Sequence, residues 1–302
     1  ALASGILRTI LLWFTVRWMP QLIFSWQSFK ELFSFGSKLL ASALLSTTYE
    51  NIYPIVIGKC FSASSLGVYA RADSLAQFPS SNITGVLQSV TFPVLSKIQN
   101  DDARLGDAYR RFLRMSAFVV FPLMVGLASV ADPFIRIVLT DKWAGTILFL
   151  QIICFALMWY PIHAINLNLL QVKGRSDYFL KLEVIKKILG IATLCVTIPL
   201  GLAAMCYGRV FTSVVCLGIN TYYTKRIIGY GFSAQMRDLA HILIHSLVMG
   251  VIVYAAVYLL PNLWLQIIVG TFLGAIYYIV GAYLMKFAEL SELLQIIKRK
   301  KQ

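Results

Sequence analysis

The stretch LAHILIHSLVMGVIVYAAVYLLPNLWLQIIVGTFLGAIYYIVGAYLM, residues 239–285, contains no Asp, Glu, Lys or Arg and is punctuated only at Pro261-Asn262. Each half is an apolar run of about 20 residues, long enough as a helix to cross roughly 30 Å of hydrocarbon. The same pattern recurs upstream. Apolar spans fall at about 1–19, 36–58, 74–96, 112–131, 144–171, 180–200, 205–224, 239–260 and 264–285. Membrane strands would instead need segments of about 10 residues with strict alternation, and that pattern is absent. The reading is an all-α polytopic membrane protein with about nine transmembrane helices.

Composition agrees. Of 302 residues, 59% are hydrophobic and only 13% charged, too little charge to cover a soluble domain of this size. The mean hydropathy is +0.75. A net charge of +14 raises the question of nucleic acid. Most basic residues, however, sit between spans or at helix ends, where anionic phospholipids and membrane orientation account for them; nucleic acid is not an expected partner. Five cysteines are scattered without metal or redox spacing.

Orientation can be counted. One alternating set of connections and adjoining helix ends, from Lys30 through Arg110 and Lys186 to Lys301, holds 20 of the 27 basic residues. The other set holds 5: Lys59, Arg71, Arg136, Lys142 and Arg209. The positive-inside rule then makes the C-terminus cytoplasmic. The chain opens on Ala1 in mid-pattern, so further spans are expected before it. The segment QLIFSWQSFKELF, residues 21–33, reads as an amphipathic helix on the membrane surface.

Polar groups at membrane depth are costly and so mark cavities or mutual pairs. Lys38, Ser42, Ser46, Glu50 and Tyr53 recur every three to four residues, with Asn51 and Pro54 beside them. In the next span Arg71, Ser74, Gln77, Ser81, Thr84, Gln88 and Thr91 form a second stripe, with Asp73 adjacent. Interhelical hydrogen bonding is one explanation; a water-filled, partly cationic cavity is the other. The candidate cavity residues are Lys38, Ser46, Glu50, Asn51, Tyr53, Arg71, Asp73, Gln77, Ser81 and Gln88. Pro54, Pro79, Pro93, Pro122, Pro161 and Pro199 fall within or at the ends of spans, where proline kinks a helix and frees a carbonyl.

Catalytic chemistry finds little support. His241 and His245 share a helix face but lack a metalloprotease pattern, and an interfacial role is expected for them. His163 reads as a hydrogen-bonded interior histidine. No phosphate-binding lysine loop or GxSxG elbow occurs. Gly270 and Gly274 permit close helix packing.

The runs SLGVYARADSLAQFP (65–79), VTFPVLSKIQNDDARL (90–105) and YPIHAINLNLLQVKGRSDYFLKLEVIKK (160–187) resemble the Wzx-type lipopolysaccharide and exopolysaccharide exporters. These belong to the superfamily that also holds MATE-class multidrug exporters. The resemblance implies part of a two-lobe MATE-like bundle around a central cavity. Residues 1–29 would carry the last span of the first lobe and the start of the interfacial helix, 30–190 the core of the second lobe, and 191–302 the C-terminal spans and basic cytoplasmic tail. It further implies flipping of an undecaprenyl-diphosphate-linked oligosaccharide across the bacterial inner membrane. No cofactor or catalysis is implied, and the coupling ion, H+ or Na+, stays open. Polysaccharide polymerase and other assembly proteins are implied partners. Arg71 is the candidate diphosphate contact, the alternative being that it snorkels to the interface or pairs with Asp73. The competing functions are a multidrug or small-cation exporter and a membrane glycosyltransferase or polymerase.

Overall fold

The computed structural model describes residues 2–16 and 24–299, which form two compact units, 1–37 and 38–302. Among the described residues there is no strand. The helices are α1 (Leu2–Val16), α2 (Trp26–Cys60), α3 (Ala63–Lys97), α4 (Asp102–Ser129), α5 (Ala131–Leu139), α6 (Thr146–Leu157), α7 (Tyr160–Val172), α8 (Ser176–Thr197), α9 (Leu202–Ile228), α10 (Phe232–Leu259), α11 (Leu263–Leu284) and α12 (Ala288–Arg299). Helices occupy the expected spans over the described residues, residues 1 and 17–19 of the first span lying outside them. By length and hydropathy, α4, α6–α7 together, α9, α10 and α11 are each sufficient to cross a membrane.

Local signals set the helix ends. Ser62 and Asp101 cap α3 and α4 by accepting from the Ser65 and Arg104 amides, and Asn262 caps α11 by accepting from the Trp264 amide at 2.9 Å. Gly229 ends α9 at φ 71, the left-handed conformation a glycine tolerates without cost. At the start of α8 the Arg175 guanidinium hydrogen-bonds the Asp177 carboxylate and holds it below the ordinary carboxylate range.

Two departures from the sequence reading concern continuity. The segment read as a separate interfacial helix at 21–33 is described from residue 24. From Trp26 it runs unbroken into the next span as the 35-residue α2, because no proline intervenes between it and the span. The span read at 144–171 is instead two helices, α6 and α7, with the break at Met158–Trp159. Pro161 is the cause: it has no N–H to offer the Leu157 carbonyl. Ser80 on α3 donates to that carbonyl at 2.9 Å instead. The same repair serves Pro122, whose freed Phe118 carbonyl accepts from the Tyr278 hydroxyl at 2.9 Å.

In the larger unit α3 packs along α6 and α7, α8 along α9, and α4 along α10, which in turn packs along α11. A side chain at Gly270 or Gly274 would press on Val257 and Val253, so these glycines do bring α11 close against α10. The distribution of polarity is that of a protein in lipid. Phe78, Val86, Ile188, Val251 and Phe272 point outward, while Ser80, Thr84, Asn166, Glu183, Asn220 and Gln235 are buried. Asn166, Thr224, Gln235 and Tyr109 form one interior network, in which the Asn166 and Gln235 amides exchange hydrogen bonds at 3.3 Å. His245 is interior too, against the interfacial expectation: its Nε2 lies 3.1 Å from the Tyr278 carbonyl. The reason is Gly281, whose missing side chain leaves room for the imidazole.

Candidate functional site

The break between α6 and α7 opens the wall of a cavity of about 560 Å3 bounded by α2, α3, α6–α7, α8 and α9. Its α3 lining runs from Tyr69 to Gln88, which at 1.5 Å per residue spans roughly 28 Å along that helix. That is close to the depth of the hydrocarbon core.

One charged cluster joins α3 to α9. Arg209 Nη1 donates to Asp73 Oδ1 at 2.5 Å and to the Tyr69 hydroxyl at 3.0 Å. Gln77 Nε2 donates to the second Asp73 oxygen at 2.7 Å. The Tyr53 and Tyr69 rings stack with centroids 6.4 Å apart, and the Arg209 guanidinium lies 5.8 Å from the Tyr53 ring. Asp73 is therefore fully engaged by cation and amide.

A second cluster joins α8 to α2. Glu183 is paired with Lys186, accepts from Ser46 Oγ at 2.8 Å, and lies 3.5 Å from Lys187 Nζ. Lys187 also sits 4.5 Å from the Tyr49 ring centre. Tyr49 approaches this closely because it lies against Gly190, where any side chain would collide with its ring. Glu183 thus serves two lysines with one negative charge. Counting both clusters, three cations face two carboxylates, and the surplus positive charge is at Lys186 and Lys187.

Between the clusters His163 completes the polar lining. Its Nδ1 lies 3.0 Å from the Asn220 amide nitrogen, and its Nε2 lies 3.3 Å from Ser213 Oγ, which donates to the Ala156 carbonyl at the helix break. With Nδ1 accepting, Nε2 carries the proton.

Of the ten residues singled out from the sequence, Ser46, Tyr53, Asp73, Gln77 and Gln88 line this cavity. Lys38 precedes the lining residue Leu39 but is not itself in the wall. Asn51 is exposed and bonds back to the Thr47 carbonyl; Ser81 is exposed and bonds to the Gln77 carbonyl. The Glu50 side chain lies outside the described residues. Arg71, expected to head the stripe, is exposed, with its guanidinium 5.5 Å from the Trp143 ring centre. The correction is geometric. Two residues of helix turn a side chain by about 200°, so Arg71 faces away from Tyr69 and Asp73. Over the 20 residues from Arg71 to Thr91 the stripe also drifts to nearly the opposite face, and Thr91 is fully buried.

The sequence reading missed Arg209, Glu183, Lys186, Lys187 and His163 as wall residues. A signal existed for Arg209, a lone charge within the apolar run at 202–224. Removing the cavity cations from the orientation count leaves 18 of the 20 and 4 of the 5, so the asymmetry stands without them.

Comparison with known proteins follows the same lines. Residues 1–148 match the profile of a family described as "Polysaccharide biosynthesis protein". The teichuronic acid biosynthesis protein TuaB of Bacillus subtilis (strain 168) is 27% identical over 248 residues, 81% of this chain and 51% of TuaB. The lipopolysaccharide biosynthesis protein WzxC of Escherichia coli (strain K12) is 27% identical over 197 residues, 65% of this chain and 40% of WzxC. Among solved structures, the lipid II flippase MurJ in an inward closed conformation superposes with a TM-score of 0.67 at 17% identity, covering 88% of this chain and 57% of MurJ. The chain spans about half the length of the curated relatives it matches. It is an all-α polytopic membrane protein that shares the fold of the solved MurJ structure and is similar in sequence to the polysaccharide biosynthesis proteins named above.

Proposed function

We propose that the full-length protein moves a lipid-linked oligosaccharide, carried on undecaprenyl diphosphate, across the bacterial inner membrane by alternating access, with its C-terminus in the cytoplasm. The observation that carries the reading is a cavity at membrane depth where, among the described residues, the walls hold one more cation than anion, at Lys186 and Lys187. A diphosphate is the kind of group such a site takes, since ammonium groups shared over one carboxylate retain donors for a second anion. Hydroxyls, amides, aromatic rings and aliphatic side chains such as Leu39 and Leu167 supply the remaining wall. The substrate's lipid tail stays in the bilayer while its head group crosses. The protein's role is binding and conformational change rather than catalysis, and Arg209 takes the place at membrane depth that the sequence reading gave to Arg71. Both described cavity carboxylates are already engaged by cations, which weighs against a small-cation exporter.

The test is export of surface polysaccharide by the full-length protein carrying Lys186→Gln and Lys187→Gln together. Losing charge-assisted contacts to the diphosphate should reduce export by at least about tenfold at matched membrane level. Normal export by that variant would refute the reading.

A further inference from the structure

The cavity has an annex whose chemistry differs from that of the charged clusters. It is a space of about 560 Å3 between α3, α7 and α8, and it shares Gln88, Leu167, Gln171 and Phe179 with the main cavity, so the two adjoin. Among the described residues, none that lines the annex carries a charge. Its polar groups are the Gln88, Asn168 and Gln171 amides and the Ser89 hydroxyl, flanked by the Phe92 and Phe179 rings.

Asn168 is only 4% exposed. Its Oδ1 accepts from Gln88 Nε2 at a long 3.4 Å, and its Nδ2 has no acceptor among the described residues. A buried donor without a partner is destabilising and calls for an explanation. Asn168 itself lines the annex, beside amides that offer both donors and acceptors.

We infer that this annex is a glycan subsite for the uncharged sugar residues next to the diphosphate. The inference rests on the translocation reading above and adds to it where the sugars sit and of what kind they are. Amide side chains match sugar hydroxyls, which donate and accept at once. Phenylalanine faces match the apolar C–H faces of pyranose rings. A sugar carboxylate would find no counter-charge and would be disfavoured in this pocket. The spacing is also suitable: Phe179 precedes Lys187 by eight residues of α8, roughly 12 Å along the helix. A diphosphate held at the lysines therefore leaves its first sugars within reach of the annex.

The experiment measures binding to the purified full-length protein in nanodiscs with two probes. One is undecaprenyl diphosphate; the other is the undecaprenyl-diphosphate-linked glycan pool extracted from the producing cells. The unaltered protein should bind the glycan-bearing lipid about tenfold more tightly than the bare lipid, the equivalent of one or two good hydrogen bonds. Gln171→Ala and Asn168→Ala should each erase most of that difference, weakening the glycan-bearing lipid much more than the bare lipid. Lys187→Gln should weaken both probes alike. Gln171 is only partly buried, so its variant decides the matter if Asn168→Ala folds poorly. Equal binding of the two probes by the unaltered protein, or a Gln171→Ala variant that preserves the difference or weakens both equally, would overturn the subsite and leave the translocation reading intact. Failure of the unaltered protein to bind either probe would overturn both.

Discussion

Arg209 on α9 and Asp73 on α3 meet within the bundle, Nη1 to Oδ1 at 2.5 Å, and each is about four-fifths shielded from solvent. An ion pair in such a place is more informative broken than intact, because removing one partner strands the other charge in a medium of low dielectric.

Arg209→Ala is therefore expected to destabilise the protein by about 3–5 kcal/mol, and Asp73→Asn by a similar amount. The double variant should be markedly more stable than Arg209→Ala alone, since no charge is then stranded. Thermal unfolding of the three variants in one detergent checks this. Additive losses would mean that the two side chains contribute independently.

The Ser80 hydroxyl exists at its position to serve a carbonyl that Pro161 releases. Ser80→Ala should cost about 1 kcal/mol. In a Pro161→Ala background the amide at 161 can serve Leu157 itself, and the same Ser80→Ala change should then cost close to nothing. A double-mutant cycle on unfolding free energy measures the coupling. A Ser80 cost that is the same in both backgrounds would break the link between serine and proline.

Gly250 sits where α10 crosses α4, with its carbonyl accepting from Ser129 Oγ at 3.0 Å and Val125 occupying the place of a side chain. Gly250→Ala should destabilise by about 1–3 kcal/mol through overpacking, despite the better helix propensity of alanine. Pairing it with Val125→Ala should recover much of the loss. A stabilised Gly250→Ala protein would mean that α4 and α10 separate more easily than this contact implies.

The charge asymmetry gives a topology that labelling can check. In a protein freed of its native cysteines, cysteine at Asp141 or Asn262 should react with an impermeant thiol reagent from the periplasm. Cysteine at Asp102 or Arg104 should not. The Arg104 side chain is 80% exposed, which suits it as a reporter of that side. The reverse labelling pattern would invert the protein in the membrane.

By itself the sequence determined that the chain is a helical membrane protein, because roughly 20-residue apolar runs such as those in 239–285 satisfy every backbone group only as helices in lipid. It also determined that the α2 and α3 stretches carry the polar wall, since Ser46, Tyr53, Asp73, Gln77 and Gln88 were legible as groups too polar for that depth. Only the tertiary structure decided which face of each stripe turns inward. Helical phase accumulates by about 100° per residue, so a stripe read in steps of three or four loses its bearing over 20 residues, and Arg71 and Thr91, which share a stripe by spacing, lie on different faces. Only the tertiary structure, too, brought Glu183, Lys186, Lys187 and Arg209 into the same wall. Ser46 on α2, which meets Glu183, and Asp73 on α3, which meets Arg209, are more than a hundred residues from those partners in the chain, and no local pattern encodes a contact between helices that meet only once the bundle has packed.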